Sequence, residues 1–259
     1  MNIAACVKLV PSADAPARLD PESKTLDRSG DLVLDESDTY SVEMALQLVE
    51  SQGGGEVVLV SMAPRAETPG LRTALAMGAA RALVISDPAL AGSDALSTAK
   101  VLAAVIRRIE VDLVLCATES IDGYTGTVPV QLAELLGYPS VSFAKHVEVR
   151  NGLVRAERQT EQGYDEVACS LPAVVTVTAG VVEPRYPTFK GIMSAKSKPI
   201  SEFSLADLEI LPGSVGVVGA RQVVVSVEAS VARAAGEIVV DQGAAEERVI
   251  AMLSEWKVI

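Results

Sequence analysis

The chain has 259 residues and a formal net charge of −12, with 49 % hydrophobic but only 3 % aromatic residues. That length holds one large α/β domain with an appendage, or two small domains, around a core of Val, Leu, Ile and Ala such as a parallel sheet covered on both faces uses. The acidic balance repels phosphate backbones and excludes nucleic-acid binding as a main function.

Ile3–Leu9, a short apolar run with β-branched members, is expected as the first strand. The stretch 11–34 follows as an excursion rich in Pro, Asp and Ser, with Ser29-Gly30-Asp31 as a turn between two short extended pieces. Asp35-Glu36-Ser37-Asp38 supplies a cap and acidic first-turn residues for a helix with Val42, Ala45, Leu46 and Val49 on one face, ended by Gly53-Gly54-Gly55. Glu56–Met62 reads as the second strand. Thr68-Pro69 opens a helix through Leu71, Leu75 and Met77 to Gly78. Arg81–Ser86 reads as the third strand, and Ser93 is expected to cap a helix striped by Leu102, Val105, Ile106 and Ile109. Val111–Cys116, nearly all apolar, is the fourth strand and a central one.

This alternation predicts a parallel sheet flanked by helices, with right-handed crossovers. Ligands of such sheets sit beyond the carboxyl ends of the strands, where strand order reverses. The loops after Leu9, Met62 and Cys116 are therefore the candidate site.

Beyond Pro139 the pattern changes. Val141–Val149, Leu153–Arg158 and Asp165–Leu171 read as an antiparallel meander, turned by Arg150-Asn151-Gly152 and by Gln162-Gly163. Pro172–Thr178 returns to an apolar strand. From Pro184 the sequence has little globular patterning: a Pro/Lys-rich loop, a Ser/Asp-rich piece, an extended Val217–Val227, and a terminal helix Ala244–Trp256. Such a tail buries little by itself and is expected to wrap another surface.

Cys6, Cys116 and Cys169 stand far apart with no metal-ligand spacing, which suits free thiols in a reducing compartment. Asn2–Val10 runs directly into a strand without the marks of a signal peptide, and no apolar run reaches the roughly 18 residues that span a bilayer. A cytoplasmic location without membrane insertion is expected. The single histidine, His146, lies in a strand-like segment and reads as an ordinary strand or surface residue. With one imidazole and no GxSxG elbow, zincin, triad and HIGH-type chemistries are excluded.

The most informative stretch runs from Val111 to Pro129. A buried strand delivers the chain into small residues, Ala117-Thr118-Glu119-Ser120-Ile121-Asp122-Gly123-Tyr124-Thr125-Gly126-Thr127-Val128, ahead of a helix around Gln131–Leu136. Gly123 and Gly126 allow close backbone approach, and amides near a helix start favour an anion. This is neither GxGxxG nor a Walker loop, so phosphate binding and a plain strand–helix connection both remain open readings. Asp122 orients either the loop or a ribose hydroxyl.

Four ordered segments carry a more specific signal: Val7-Lys8-Leu9-Val10-Pro11; Arg72 through Ala79; the loop 111–126 with Ser120-Ile121-Asp122; and the run Arg158–Lys198. The last contains Leu171-Pro172-Ala173-Val174-Val175-Thr176, Glu183-Pro184-Arg185-Tyr186-Pro187-Thr188 and Ile192-Met193-Ser194-Ala195-Lys196-Ser197-Lys198. In these the chain resembles the electron transfer flavoprotein beta subunit, including FixA-type relatives, closely over residues 1–200 and loosely beyond.

The resemblance implies an adenine-nucleotide alpha-hydrolase-like, Rossmann-like fold with an antiparallel addition. It divides the chain into a nucleotide-binding domain, 1–200, with a recognition loop at 183–198, and a wrapping arm, 201–259, that contacts an alpha subunit. It implies an electron carrier without catalytic residues of its own. AMP would be held structurally at Cys6, Asp35, Glu36, Ser37, Asp38, Met62 and along 117–128, and FAD mainly by the alpha subunit. It further implies docking of acyl-CoA dehydrogenases or related flavin dehydrogenases of fatty acid beta-oxidation through Arg185, Phe189, Lys190, Lys196 and Lys198, with electrons passed toward a membrane quinone oxidoreductase. From the residues alone, 183–198 reads instead as a solvated basic loop with Phe189 in the subunit's own core.

Two departures from the family pattern stand out. Thr118 and Glu119 replace the usual Lys or Arg with Gln, and Asp35-Glu36 replaces Asn-Pro. Acidic side chains would not face a phosphate, so backbone amides or the adenine edge are expected there. An electron-bifurcating type with a second FAD in this subunit is one alternative. A homodimeric nucleotide sensor is another.

Overall fold

A computed structural model describes residues 1–259 except 13–17, 21, 67, 229–235, 237, 242 and 244. The excursion at 11–34 and the start of the terminal helix at Ala244 therefore lie partly outside the described residues. Two units are present, Met1–Val224 and Val225–Ile259.

In chain order the first unit contains β1 (Asn2–Cys6), β2 (Leu9–Pro11), β3 (Leu32–Leu34), α1 (Glu36–Ser51), β4 (Glu56–Met62), α2 (Pro69–Met77), β5 (Arg81–Ile85), α3 (Ala95–Ile106), β6 (Leu113–Ala117) and α4 (Val128–Leu136). It continues with β7 (Ser140–Arg150), β8 (Leu153–Thr160), β9 (Gly163–Ser170), β10 (Ala173–Val177), α5 (Phe189–Ala195), β11 (Ile200–Phe203) and α6 (Gly216–Gly219). Nine strands form one sheet in the order β11-β5-β4-β1-β6-β10-β7-β8-β9. It is parallel from β11 to β7, and β7, β8 and β9 pair antiparallel. The expected α/β class with an antiparallel addition is what the chain adopts.

Period-2 alternation sends each central strand to two cores. Ile3, Ala5, Leu59, Leu113 and Leu115 meet α1 and α2 through Val42, Leu46, Leu71 and Leu75. Ala4, Cys6, Val60, Val114 and Cys116 meet α3 and α4 through Val101, Val105 and Leu132. Each such fully buried aliphatic side chain contributes about 1.5–3 kcal/mol relative to exposure. From β1 the chain goes to β4 and β5 on one side, then returns to β6 and β10 on the other. Strand order thus reverses between β1 and β6.

The structure departs from the expected elements in a few places. The first strand stops at Cys6 because the chain re-pairs as β2 against β3, Leu9 opposite Leu34. The cap of α3 is Asp94, whose carboxylate accepts from Ser97 N at 2.8 Å, while Ser93 donates to Leu90 O. The segment after Pro184 is more ordered than its pattern suggests. Thr188 caps the seven-residue α5, and β11 extends the sheet beside β5. The β7–β8 turn is as expected: Asn151 and Gly152 both hold positive φ, 53° and 74°, the twist a two-residue hairpin requires.

The second unit holds α7 (Ala245–Glu255), which buries no residue and exposes Val249 and Ile250.

Candidate functional site

A cleft of about 560 Å³ opens beyond the carboxyl ends of β1, β4, β5 and β6, across the point where strand order reverses. Its floor includes Cys6, Cys116 and Ala117, all buried, and α3 closes one side through Leu102 and Thr98. Thr25, Leu26 and Arg28 of the 11–34 excursion form part of its rim.

The loop between β6 and α4 is fastened from below. Lys8 Nζ donates to Ser120 Oγ at 3.0 Å and to Asp122 Oδ1 at 2.5 Å. Arg28 donates to Asp122 Oδ2 with one nitrogen and to Leu9 O, at 2.8 Å, with another. Burial pulls the Asp122 carboxyl upward, but the hydrogen bonds from Lys8 and Arg28 outweigh it and hold the group below the usual carboxylate range. Asp35 is completely buried. It caps α1 by accepting from Ser37 N at 2.9 Å, and its other oxygen accepts from Ile121 N at 2.8 Å. One carboxylate therefore starts a helix and pins the loop. Thr118 Oγ1 donates to Val177 O at 3.1 Å, tying the loop to β10.

Tyr124 and Gly126 take positive φ, 49° and 65°. They turn the chain into α4, where Thr127 offers the first amides no side-chain acceptor. A helix end in that state accepts an anion or water.

Asp38 accepts from Lys8 N at 2.6 Å at the cleft floor. Burial, reinforced by the neighbouring Asp35 charge, pushes its carboxyl up to about 8 despite that hydrogen bond. A hydrogen bond with Cys6, together with burial, holds the Cys116 thiol well above its ordinary value, so it stays protonated.

Of the residues singled out from sequence, Cys6, Asp38, Met62, Ala117, Thr118, Glu119, Ser120, Thr125, Gly126 and Val128 line the cleft together. Asp35, Ser37, Ile121 and Asp122 stand behind it as supports. Glu36, Gly123, Tyr124 and Thr127 do not line it, and Tyr124 is exposed. Sequence reasoning missed Lys8, Arg28 and the loop after β5 with Asp87 and Asp94. Lys8 lies in the Val7–Pro11 segment and Arg28 in no motif, and neither has a spacing that ties it to Asp122, but the β5 loop leaves the same sheet edge and could have been placed by topology.

In the 183–198 segment, Phe189 is 80 % exposed and Tyr186 91 %. Phe189 lies outside the core, and Lys190 on α5 and Lys196 at its end are exposed as well. Arg185 is committed elsewhere: its Nε lies 2.7 Å from buried Glu43 and its Nη1 2.8 Å from Glu50. Lys198 Nζ donates to Leu75 O at 2.9 Å and Ala79 O at 2.7 Å, and burial lowers its pKa.

The chain matches the electron transfer flavoprotein domain family over residues 23–208. It is 36 % identical to the electron transfer flavoprotein subunit beta of Mycobacterium tuberculosis, covering 100 % of this chain and 99 % of that protein. The subunit beta of Thermoanaerobacterium thermosaccharolyticum is 36 % identical, covering 92 % of each chain. The caffeyl-CoA reductase-Etf complex subunit CarD of Acetobacterium woodii is 34 % identical, covering 84 % of this chain and 83 % of that one.

Proposed function

Because the chain belongs to the electron transfer flavoprotein beta-subunit family, we propose that it carries a structural AMP and completes a heterodimer whose alpha subunit holds most of the contacts to a redox-active FAD. The observation that carries this reading is the cleft at the strand-order reversal, bounded by a fastened loop of small residues and the start of α4. Thr125, Gly126 and the first amides of α4 suit a phosphate. Cys6, Met62 and Asp38 suit the base and ribose, and neither Asp35 nor Glu36 lines the cleft, which leaves the phosphate to backbone donors. The flavin supplies the redox chemistry when bound; this chain's part is to bind, orient and dock.

Exposed Phe189 on α5, with exposed Tyr186, Lys190 and Lys196 in the same 183–198 segment, supports docking of acyl-CoA dehydrogenases or related flavin dehydrogenases. Electrons would pass on to a quinone oxidoreductase at the membrane; among the described residues no helix of this chain is long and apolar enough to cross one. The second unit exposes Ile238, Val240, Ile250 and Trp256, apolar surface suited to an arm against the alpha subunit.

A second reading is a second FAD in this subunit, as in bifurcating types. The cleft runs past β4 to Asp87, Gly92 and Thr98, offering room beyond the adenylate end. Co-expression with the alpha subunit and extraction of bound nucleotides separates the two. One AMP and one FAD per heterodimer supports the first reading, two FAD the second, and no adenylate at all defeats both.

A further inference from the structure

We infer that Glu119 sets the cleft's selectivity against a terminal phosphate dianion, so that this subunit holds AMP little more tightly than adenosine. The inference rests on the adenylate reading above and concerns the same cleft.

The argument is a count of charge at the anion end. Among the described residues, Lys8 and Arg28 are the basic side chains lining the cleft. Both pair with Asp122, whose side chain is only 7 % exposed, so one unit of positive charge remains from the three groups. Glu119 cancels it. Its carboxylate lines the cleft, and Oε2 lies 3.7 Å from where a Cβ on Gly126 would stand, at the turn into α4. A phosphate seated on the amides there would face that carboxylate at close range.

The other acidic side chains lining the cleft are engaged with backbone donors. Asp38 accepts from Lys8 N, Asp87 from Ala89 N and Leu205 N, and Asp94 from Ser97 N and Arg221 N. Among the described residues, Glu119 takes no such hydrogen bond or ion pair, so its carboxylate is not tied down by a donor at the turn into α4. Because Glu119 is exposed to water, like charges at this range are screened by a water-like dielectric and alter an affinity by about tenfold. With the base and ribose at Cys6, Met62 and Asp38 as proposed above, adenosine binding should be indifferent to Glu119.

The test is calorimetric titration of AMP and of adenosine into the nucleotide-stripped complex of this full chain with its co-expressed alpha subunit. Wild-type complex should favour AMP by no more than about threefold, and Glu119→Gln should tighten AMP by about tenfold while leaving adenosine within about twofold. Glu119→Ala should act like Glu119→Gln, because charge and not hydrogen bonding is at issue. The gain should shrink as salt is raised, as expected for an exposed charge. Both ligands binding with no response to either variant overturns the selectivity inference and leaves the adenylate reading standing. Neither ligand binding overturns both.

Discussion

At the scale of single residues, two buried carboxylates behave in opposite ways. Asp122 gains two cations and is held low, whereas Asp38, stripped of water by burial and set beside the Asp35 charge, is pushed up to about 8 from an ordinary 3.8. The unfolded chain releases the Asp38 proton near its ordinary value, while the folded chain keeps it to about 8. Folding therefore takes up a proton in this window, and stability falls as pH rises through it, by up to about 1.4 kcal/mol per pH unit. Asp38→Asn removes that slope. Its thermal midpoint relative to wild type should climb steadily from about pH 5 to pH 8; a constant offset would contradict the assignment. Asp122→Asn leaves Lys8 and Arg28 without a counter-charge and frees the loop. A loss of about 1–3 kcal/mol in denaturant unfolding is expected, together with faster nucleotide release. Unchanged release would show that the loop is held elsewhere.

At the scale of elements, α2 and α5 lock each other. Lys198, just after α5, donates to Leu75 O at the end of α2 and to Ala79 O just beyond it, and Arg72 of α2 donates to Ala195 O at 2.7 Å and Lys198 O at 3.0 Å. Gly191 permits the close approach, since a Cβ there would stand 2.5 Å from Ala76 O. The exposed Phe189 thus sits on a braced helix. Lys198→Met should cost about 1–2 kcal/mol by removing the donor to Ala79 O, while Leu75 O keeps its bond from Gly78 N, and should raise amide exchange over residues 189–198. Exchange unaltered there would refute the brace. This lock was not legible in the sequence. A seven-residue helix with an internal glycine has no measurable period, and β11 has only the mixed burial of an edge strand. The β4, α2 and β6 segments were legible because an apolar run or a Thr-Pro cap is a local property. Half of the site was legible for the same reason: the loop after Cys116 follows directly from its strand. Lys8 and Arg28 were not, because they reach Asp122 from 114 and 94 residues away in sequence.

At the scale of the whole molecule, the sheet opens a cleft at the carboxyl ends of its strands, and α5 presents an exposed, braced aromatic. If Phe189 is the anchor for dehydrogenases, Phe189→Ala should lower kcat/KM for dehydrogenase-coupled reduction of the heterodimer by about tenfold or more. Thermal stability should be unaffected, since the side chain is already exposed. Equal kinetics in the variant would move docking elsewhere.

The central claim is that the strand-order reversal between β1 and β6 holds an adenylate, and photolabelling tests it most directly. The heterodimer, stripped of nucleotide and irradiated with a photoreactive adenylate, should carry the label on peptides containing 6–9, 62–64 or 117–128 of this chain, with unlabelled AMP protecting them. Label confined to the alpha subunit, or on this chain but away from that crevice, would contradict the account.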